Sequence, residues 1–148
     1  MVADTSMRYA RQLDRIEERA GPPADPVDLT ELLGVWRAAN HVTYGISRVE
    51  LRERDGQVRA HTFAVDPVGG TTFDWGEVPV DGVYTDGPAS GRVCGFRATF
   101  ELGHARTQVQ VNMLHSVAVC AAFTTFTDGS DRSNYFSREF LHRREEQR

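Results

Sequence analysis

Residues 32–40 have the sequence Leu-Leu-Gly-Val-Trp-Arg-Ala-Ala-Asn, and this stretch decides the fold. Before Gly34, residues 29–33 are predicted to form a short helical turn that Asp28 can cap, because an aspartate side chain accepts hydrogen bonds from the first amides of a helix. After it, β-patterned segments separated by turn residues continue to Arg143. Gly34-Val35-Trp36 therefore marks the start of a long β-meander.

The alternation of apolar and polar residues and the positions of the turns predict an all-β chain. Asp55-Gly56, between two charged strand ends, is typical of a two-residue hairpin. In the segment 93–102 we expect Phe96 and Phe100 to face the interior, and Val93 and Arg97 to face away from it. Strands are predicted near residues 34–40, 44–54, 57–66, 71–76, 79–85, 92–102, 105–114, 116–127 and 133–143.

Sequential hairpins of this length favour a single closed antiparallel β-barrel over residues 34–143, because closure removes the exposed strand edges. The segment 116–123 is apolar on both faces, which fits a buried strand or a wall covered by another element. Residues 4–20 predict an N-terminal amphipathic α-helix that ends at Gly21-Pro22-Pro23. This helix could be a lid, a plug or a homodimer contact. The whole chain, 1–148, is expected to form one domain.

The composition excludes several classes of protein. All 17 basic residues are arginine, which we interpret as the codon usage of a GC-rich bacterial genome, and the net charge is −4. Arginines scattered among carboxylates do not form the basic face that nucleic acids require. Neither a signal peptide nor a membrane-spanning segment is predicted, so a cytoplasmic protein is expected. Cys94 and Cys120 lie in strand-like runs, as free thiols or as one disulfide between neighbouring strands.

The stretch 32–40 resembles the first strand of the lipocalin-like and avidin-like barrels, the calycins. This resemblance covers residues 32–143 and implies that Trp36 packs at the closed end of the barrel with an arginine of the last strand across it. Arg138 is the best match to that arginine, and Arg143 is the second. Asp74-Trp75-Gly76 and residues 126–136 also resemble segments of bacterial lipocalin-like proteins. The N-terminal helix departs from the basic barrel.

A small barrel either fills its interior with side chains or holds one small ligand there. Aromatic residues interleaved with alanine and glycine predict an apolar pocket, in which Asn40 or Asn112 would supply polar contacts. As an alternative, the aromatic residues simply fill the barrel, and Asn112 faces solvent because Val111 and Met113 alternate with it. The residues predicted to contact a ligand are Asn40, Phe63, Trp75, Tyr84, Phe96, Phe100, Asn112, Met113 and Phe123.

Asp74 is the candidate catalytic residue. A carboxylate held against the indole of Trp75 in an apolar pocket would have a raised pKa and could act as a general acid or base. Alternatively, Asp74 caps the turn to Gly76 and never enters the barrel. Among the histidines, His41 and His61 are the ones placed to face inward. No spacing of potential ligands is typical of a metal site, so neither a metal nor another cofactor is expected.

Two classes of function are predicted, and in both the partner is a hydrophobic small molecule. In size and layout the chain is similar to lipocalin-like natural-product cyclases. That resemblance implies a cofactor-independent cyclase or isomerase of the pericyclase type, which shapes a polyketide-like substrate by positioning it. The alternative is a non-catalytic carrier or sequestering protein for a small apolar ligand. Both classes predict the same interior pocket.

Overall fold

The computed structural model describes residues 24–40, 45–66 and 68–143 of the 148-residue chain. Within these ranges the protein is all-β, and nine antiparallel strands form one strongly curled sheet in the order β4-β3-β2-β1-β9-β8-β7-β6-β5. The strands are β1 (Gly34–Ala38), β2 (Ile46–Arg54), β3 (Gln57–Val65), β4 (Thr72–Pro79), β5 (Gly82–Thr85), β6 (Val93–Glu101), β7 (Ala105–Leu114), β8 (Val117–Phe126) and β9 (Tyr135–Arg143).

All nine predicted strands are present, with ends that differ from the predictions by a few residues. The hairpin at Asp55-Gly56 is also confirmed. Both residues have positive φ, 53° and 77°, which is the conformation that a two-residue turn needs to match the twist of the flanking strands. The predicted helix at residues 4–20 lies outside the described residues.

The sheet curls into a half-barrel whose edge strands, in the described part of the chain, are β4 and β5. The short link between these strands spans the two edges. The amide of Val80 donates to the carbonyl of Val58 in β3, at 3.0 Å, and the amide of Asp81 donates to the carbonyl of Arg97 in β6, at 2.7 Å. Complete closure of the barrel stays a prediction.

The interior face of β6 agrees with the prediction in its second half and differs in its first half. Phe96 and Phe100 are buried, as expected. Val93 is buried too, although it was predicted to face away. The register of β5 on β6 shifts at this point, so that Tyr84 lies opposite Gly95 and Thr85 lies opposite Val93. The extra residue of this bulge reverses the alternation in the strand, which the sequence pattern could not reveal.

Trp36 lies at the closed end of the half-barrel, where it is 1% exposed. Its indole Nε1 donates a hydrogen bond to the carbonyl of Leu32 at 2.9 Å. The guanidinium of Arg143 lies 5.5 Å from the centre of the Trp36 ring and donates to the carbonyls of Thr30 and Leu33, at 2.9 and 2.8 Å. These contacts hold residues 30–33 across the end of the sheet.

Arg138, the preferred match for the arginine over Trp36, is the wrong residue. It is exposed and pairs with Ala121 in the middle of β8. Arg138 and Arg143 are separated by an odd number of positions, so their side chains lie on opposite faces of β9. Arg143, the second match, occupies the predicted position.

Candidate functional site

A cavity of about 650 Å³ opens at the end of the half-barrel opposite Trp36. The starts of β2, β4, β7 and β9 and the ends of β3 and β8 meet at this mouth, so six strands contribute to its wall, together with Leu102 directly after β6. We call it the mouth cavity. Its lining residues are Gly45, Ile46, Ala64, Val65, Asp66, Phe73, Asp74, Trp75, Leu102, His104, Ala105, Thr107, Ala122, Thr124, Phe126, Arg132, Tyr135 and Ser137.

The cavity exists because small side chains occupy the inward positions near the mouth. Ala64, Ala105 and Ala122 are all buried and lie on three different strands, so their methyl groups leave the space between the walls unfilled. Trp75 forms the large apolar surface of the cavity and packs against Phe100, with ring centroids 5.6 Å apart. Trp75 and Phe100 therefore face the interior, as predicted, but Phe100 is buried in the core and does not line the mouth cavity.

Two threonine hydroxyls are buried in this apolar wall. Thr107 in β7 and Thr124 in β8 are register partners, and their Oγ1 atoms are 3.0 Å apart, which is a hydrogen-bond distance. The two residues are only 1% and 6% exposed, yet both line the cavity. The pair thus provides neutral hydrogen-bonding capacity to an otherwise apolar wall.

The rim of the mouth cavity is aromatic and charged. The centroid of the Phe126 ring is 6.3 Å from that of His104 and 6.0 Å from that of Tyr135. The guanidinium carbon of Arg132 lies over the same ring, 4.2 Å from its centroid. Arg132 is also paired with Asp128, four residues earlier in the same loop. Hydrogen bonds from Ser130, together with Arg132, lower the pKa of Asp128 to about 2, so this carboxylate neutralises the arginine at ordinary pH.

Asp74 is an exposed residue of β4 at the rim of the mouth cavity, which corrects its predicted apolar environment. Its side chain is 57% exposed, and its Oδ1 atom is 2.6 Å from Nε2 of His61 and 2.7 Å from the amide of Gly76. These hydrogen bonds, first from Gly76 and then from His61, lower the pKa of Asp74. The predicted rise in pKa is therefore wrong. Asp74 accepts a hydrogen bond from the amide of Gly76, as the alternative expected, but both residues lie within β4 and Asp74 borders the cavity.

His61 was expected to face inward, but its ring packs on the outer face of β3. It stacks on Phe63 with centroids 4.4 Å apart, and the guanidinium of Arg48 lies 3.9 Å from the centre of the Phe63 ring. Phe63 alternates with the buried residues Thr62 and Ala64, so the outer face is its only available side. Phe63 therefore does not contact a ligand in the interior, and that prediction is wrong. His41 lies outside the described residues.

Other predicted contact residues separate into two groups. Phe96 and Met113 are buried in the core at 3% and 4% exposure and do not line the mouth cavity. Tyr84, Asn112 and Phe123 face outward, and Asn40 is exposed at the end of β1, so none of these four enters the interior. For Asn112 the alternative is confirmed, because Val111 and Met113 are the buried residues on either side of it.

Sequence reasoning missed the polar groups of the inner wall. Thr107 and Thr124 were not singled out, although both alternate with exposed neighbours and so carry an inward signal. Glu139 is a third example. It lies opposite Cys120 in the register of β8 and β9, and a β-carbon on Gly45, at the cavity edge, would be 3.2 Å from its Oε1 atom. The alternation of Ser137, Glu139 and Leu141 along β9 could have revealed it.

The two cysteines lie in different environments. Cys94 borders a groove on the outer face of the sheet, whereas Cys120 is 1% exposed and belongs to the core. Burial, with a smaller effect of Glu139, raises the pKa of the Cys120 thiol to about 12, so it stays protonated. Both thiols are free, so the alternative of a disulfide between them is not realised.

In the described ranges no helix is long and apolar enough to cross a membrane, and no group of three or more potential ligands could hold a metal ion. Comparisons with protein-family models, with curated protein sequences and with solved structures find no match to this chain. The class of the protein is therefore defined by the architecture of its described residues: an all-β half-barrel with a packed core at one end and a cavity at the other.

Proposed function

We propose that this protein binds a small, largely apolar molecule in the mouth cavity. The observation that carries the proposal is a cavity of about 650 Å³ whose wall combines Trp75 with three alanines. Sites for small molecules commonly have volumes of about 300–1,000 Å³ and apolar walls with a few polar groups. Here the polar groups are the Thr107–Thr124 pair in the wall and the side chains of the rim.

The narrower proposal is that the bound molecule is cyclised or isomerised without a cofactor. A flexible substrate pressed between Trp75 and the opposite alanine-bearing wall would lose the conformational freedom that opposes ring closure, which alone can supply a large part of a rate enhancement. The buried hydroxyls could stabilise charge that develops during the reaction. A polyketide-like substrate, and a calycin-type barrel that is fully closed, remain parts of this proposal.

The carrier function is the competing proposal for the same cavity. It is favoured by the environment of Asp74, since a carboxylate with a lowered pKa that is bonded to His61 is a weak candidate for proton transfer. In either case we propose a cytoplasmic protein that acts on neither nucleic acid nor membranes. Phe136 and Phe140, 53% and 62% exposed on β9, are the residues we would assign to a homodimer contact.

The binding proposal is tested by titrating the purified protein with Nile red, an apolar fluorophore. Trp75→Ala removes the largest apolar surface of the cavity and is expected to weaken binding about tenfold. Phe123→Ala is the matched control, because Phe123 is a 44% exposed aromatic residue on the outer face. If Phe123→Ala weakens binding as much as Trp75→Ala, the dye binds the outer face and the proposal fails.

Deletion of the gene, followed by metabolite profiling, separates the cyclase from the carrier. An accumulated uncyclised precursor that the purified protein converts to the missing product would establish the cyclase. Unchanged metabolites, together with tight binding of an apolar compound by the purified protein, would establish the carrier.

A further inference from the structure

The hydroxyl pair in the cavity wall has more hydrogen-bond donors than it uses. Thr107 and Thr124 each carry one O–H group, and a single hydrogen bond joins their Oγ1 atoms. One of the two protons takes part in that bond, so one O–H group is left over. No other hydrogen bond of either side chain is found in the part of the chain that the structure describes.

A buried O–H group without an acceptor is unfavourable, because it has lost its hydrogen bonds to water. The inward neighbours on β7 and β8, Ala105, Val109 and Ala122, are apolar and offer no side-chain acceptor. Among the described residues no hydrogen bond joins the pair to Ser137, the hydroxyl of β9 that also lines the cavity. A third interior hydroxyl, on β3, is in a similar position. The Oγ1 atom of Thr62 is buried and has no hydrogen-bond partner among the described residues. The interior therefore has O–H donors that lack an acceptor, while the free lone pairs of the same oxygens are the less costly groups to leave unpaired.

We infer that the ligand of the mouth cavity is a neutral carbonyl compound whose oxygen accepts a hydrogen bond from the Thr107–Thr124 pair. This inference rests on the proposed binding function and specifies the chemical class of the ligand. A ketone, an ester, a lactone or a quinone presents such an oxygen on an apolar skeleton. The hydrogen bond also withdraws electron density from a conjugated carbonyl, which would activate it for ring closure in the cyclase case.

A carboxylate is a poor fit for the same position. Arg132 is the arginine that lines the cavity in the described part of the chain, but it lies at the rim and is already paired with Asp128. A carboxylate at the threonine pair would be buried against neutral hydroxyls and apolar side chains, without a cation to compensate for its lost hydration. A neutral acceptor avoids that cost, so the wall selects a carbonyl over an acid.

The test uses two matched probes and three variants. The probes are 6-propionyl-2-(dimethylamino)naphthalene and its 6-propyl counterpart, which has CH₂ in place of the carbonyl. The variants are Thr107→Val, Thr124→Val and the double variant. Each single variant keeps one hydroxyl and is expected to bind the carbonyl probe within about threefold of the wild type. The double variant has no donor and should bind it about tenfold more weakly, with bluer emission, while the propyl probe is unaffected.

Valine replaces threonine with nearly the same shape, so removal of both partners should leave the fold intact. The double serine variant, Thr107→Ser with Thr124→Ser, keeps both hydroxyls and should bind the carbonyl probe like the wild type. If the double valine variant binds the carbonyl probe with wild-type affinity, the inference is overturned and the binding function stands. An equal loss for both probes also overturns it, because the change would then be one of shape. If the wild type binds neither probe, the proposed function itself fails.

Discussion

The two ends of the half-barrel each contain a tryptophan, but only one end is filled. At the closed end Trp36 is 1% exposed, hydrogen-bonded to Leu32 and covered by Arg143. At the mouth Trp75 is half-buried and lines the cavity. The inward neighbours explain the difference. They are leucines and valines near Trp36, and alanines and threonines near the mouth. Side-chain volume at inward positions thus decides which end is core and which is a site.

Truncation of the two tryptophans should have unequal effects on stability. Trp36→Ala is expected to lower the free energy of unfolding by about 3–5 kcal/mol, because it removes a fully buried ring and its hydrogen bond. Trp75→Ala removes a half-exposed ring and should cost less than about half as much. Urea denaturation of both variants measures the difference. Equal losses would show that the two ends are packed alike and would contradict the comparison.

Removal of Arg143, which covers Trp36, should have a smaller effect on stability than removal of Trp36 itself. Arg143→Ala should lower the free energy of unfolding by about 1–2 kcal/mol, because it removes two charged hydrogen bonds to carbonyls and the contact with Trp36. Arg138→Ala, on the outer face of the same strand, is the matched control and should change stability by less than about 0.5 kcal/mol. Thermal unfolding monitored by tryptophan fluorescence compares them. A larger effect for Arg138 would restore the first match suggested by the resemblance.

Asp74→Asn should have the smallest effect on stability, since Asp74 is an exposed residue at the rim of the mouth cavity. The lowered pKa means that the ionised carboxylate is favoured in the folded state, so its contribution to stability is present above the ordinary carboxyl value of 3.8 and is lost as the pH falls below it. Wild type and variant should therefore differ slightly at pH 6 and converge toward pH 2. Affinity for the apolar probes should change by less than about twofold. A large loss of turnover in an enzyme assay would return Asp74 to a catalytic role.

Much of the fold could be predicted from the sequence, because it depends on local signals. Alternation and turn residues located nine strands, and Asp55-Gly56 located a hairpin, since each depends on backbone preferences within a few residues. Phe100 was predicted to face the interior for the same reason. The bulge at Cys94 was not predictable, because it arises from the pairing of β6 with β5.

The candidate site was harder to predict, because strand periodicity defines two faces and does not say which one is inside. On β8, Ala122 and Phe123 are neighbours, and the structure places Ala122 inside and the larger Phe123 outside. Apolar residues occupy both faces of this strand, so hydrophobicity could not separate them. Aromatic size was therefore a poor guide to the interior, and the small and hydroxyl-bearing residues that form the cavity were overlooked.

The sequence by itself determined the all-β class, the order and lengths of the strands, and the packing of Trp36 in the core. These properties follow from periodicity, turn chemistry and the burial of one large aromatic residue, all of which act locally or through bulk hydrophobicity. Only the tertiary structure decided that Arg143 covers Trp36, that Asp74 bonds to His61, and that Thr107 meets Thr124 in the cavity wall. Each of these is a contact between strands. Such contacts depend on register and curvature, which are set when the whole sheet folds.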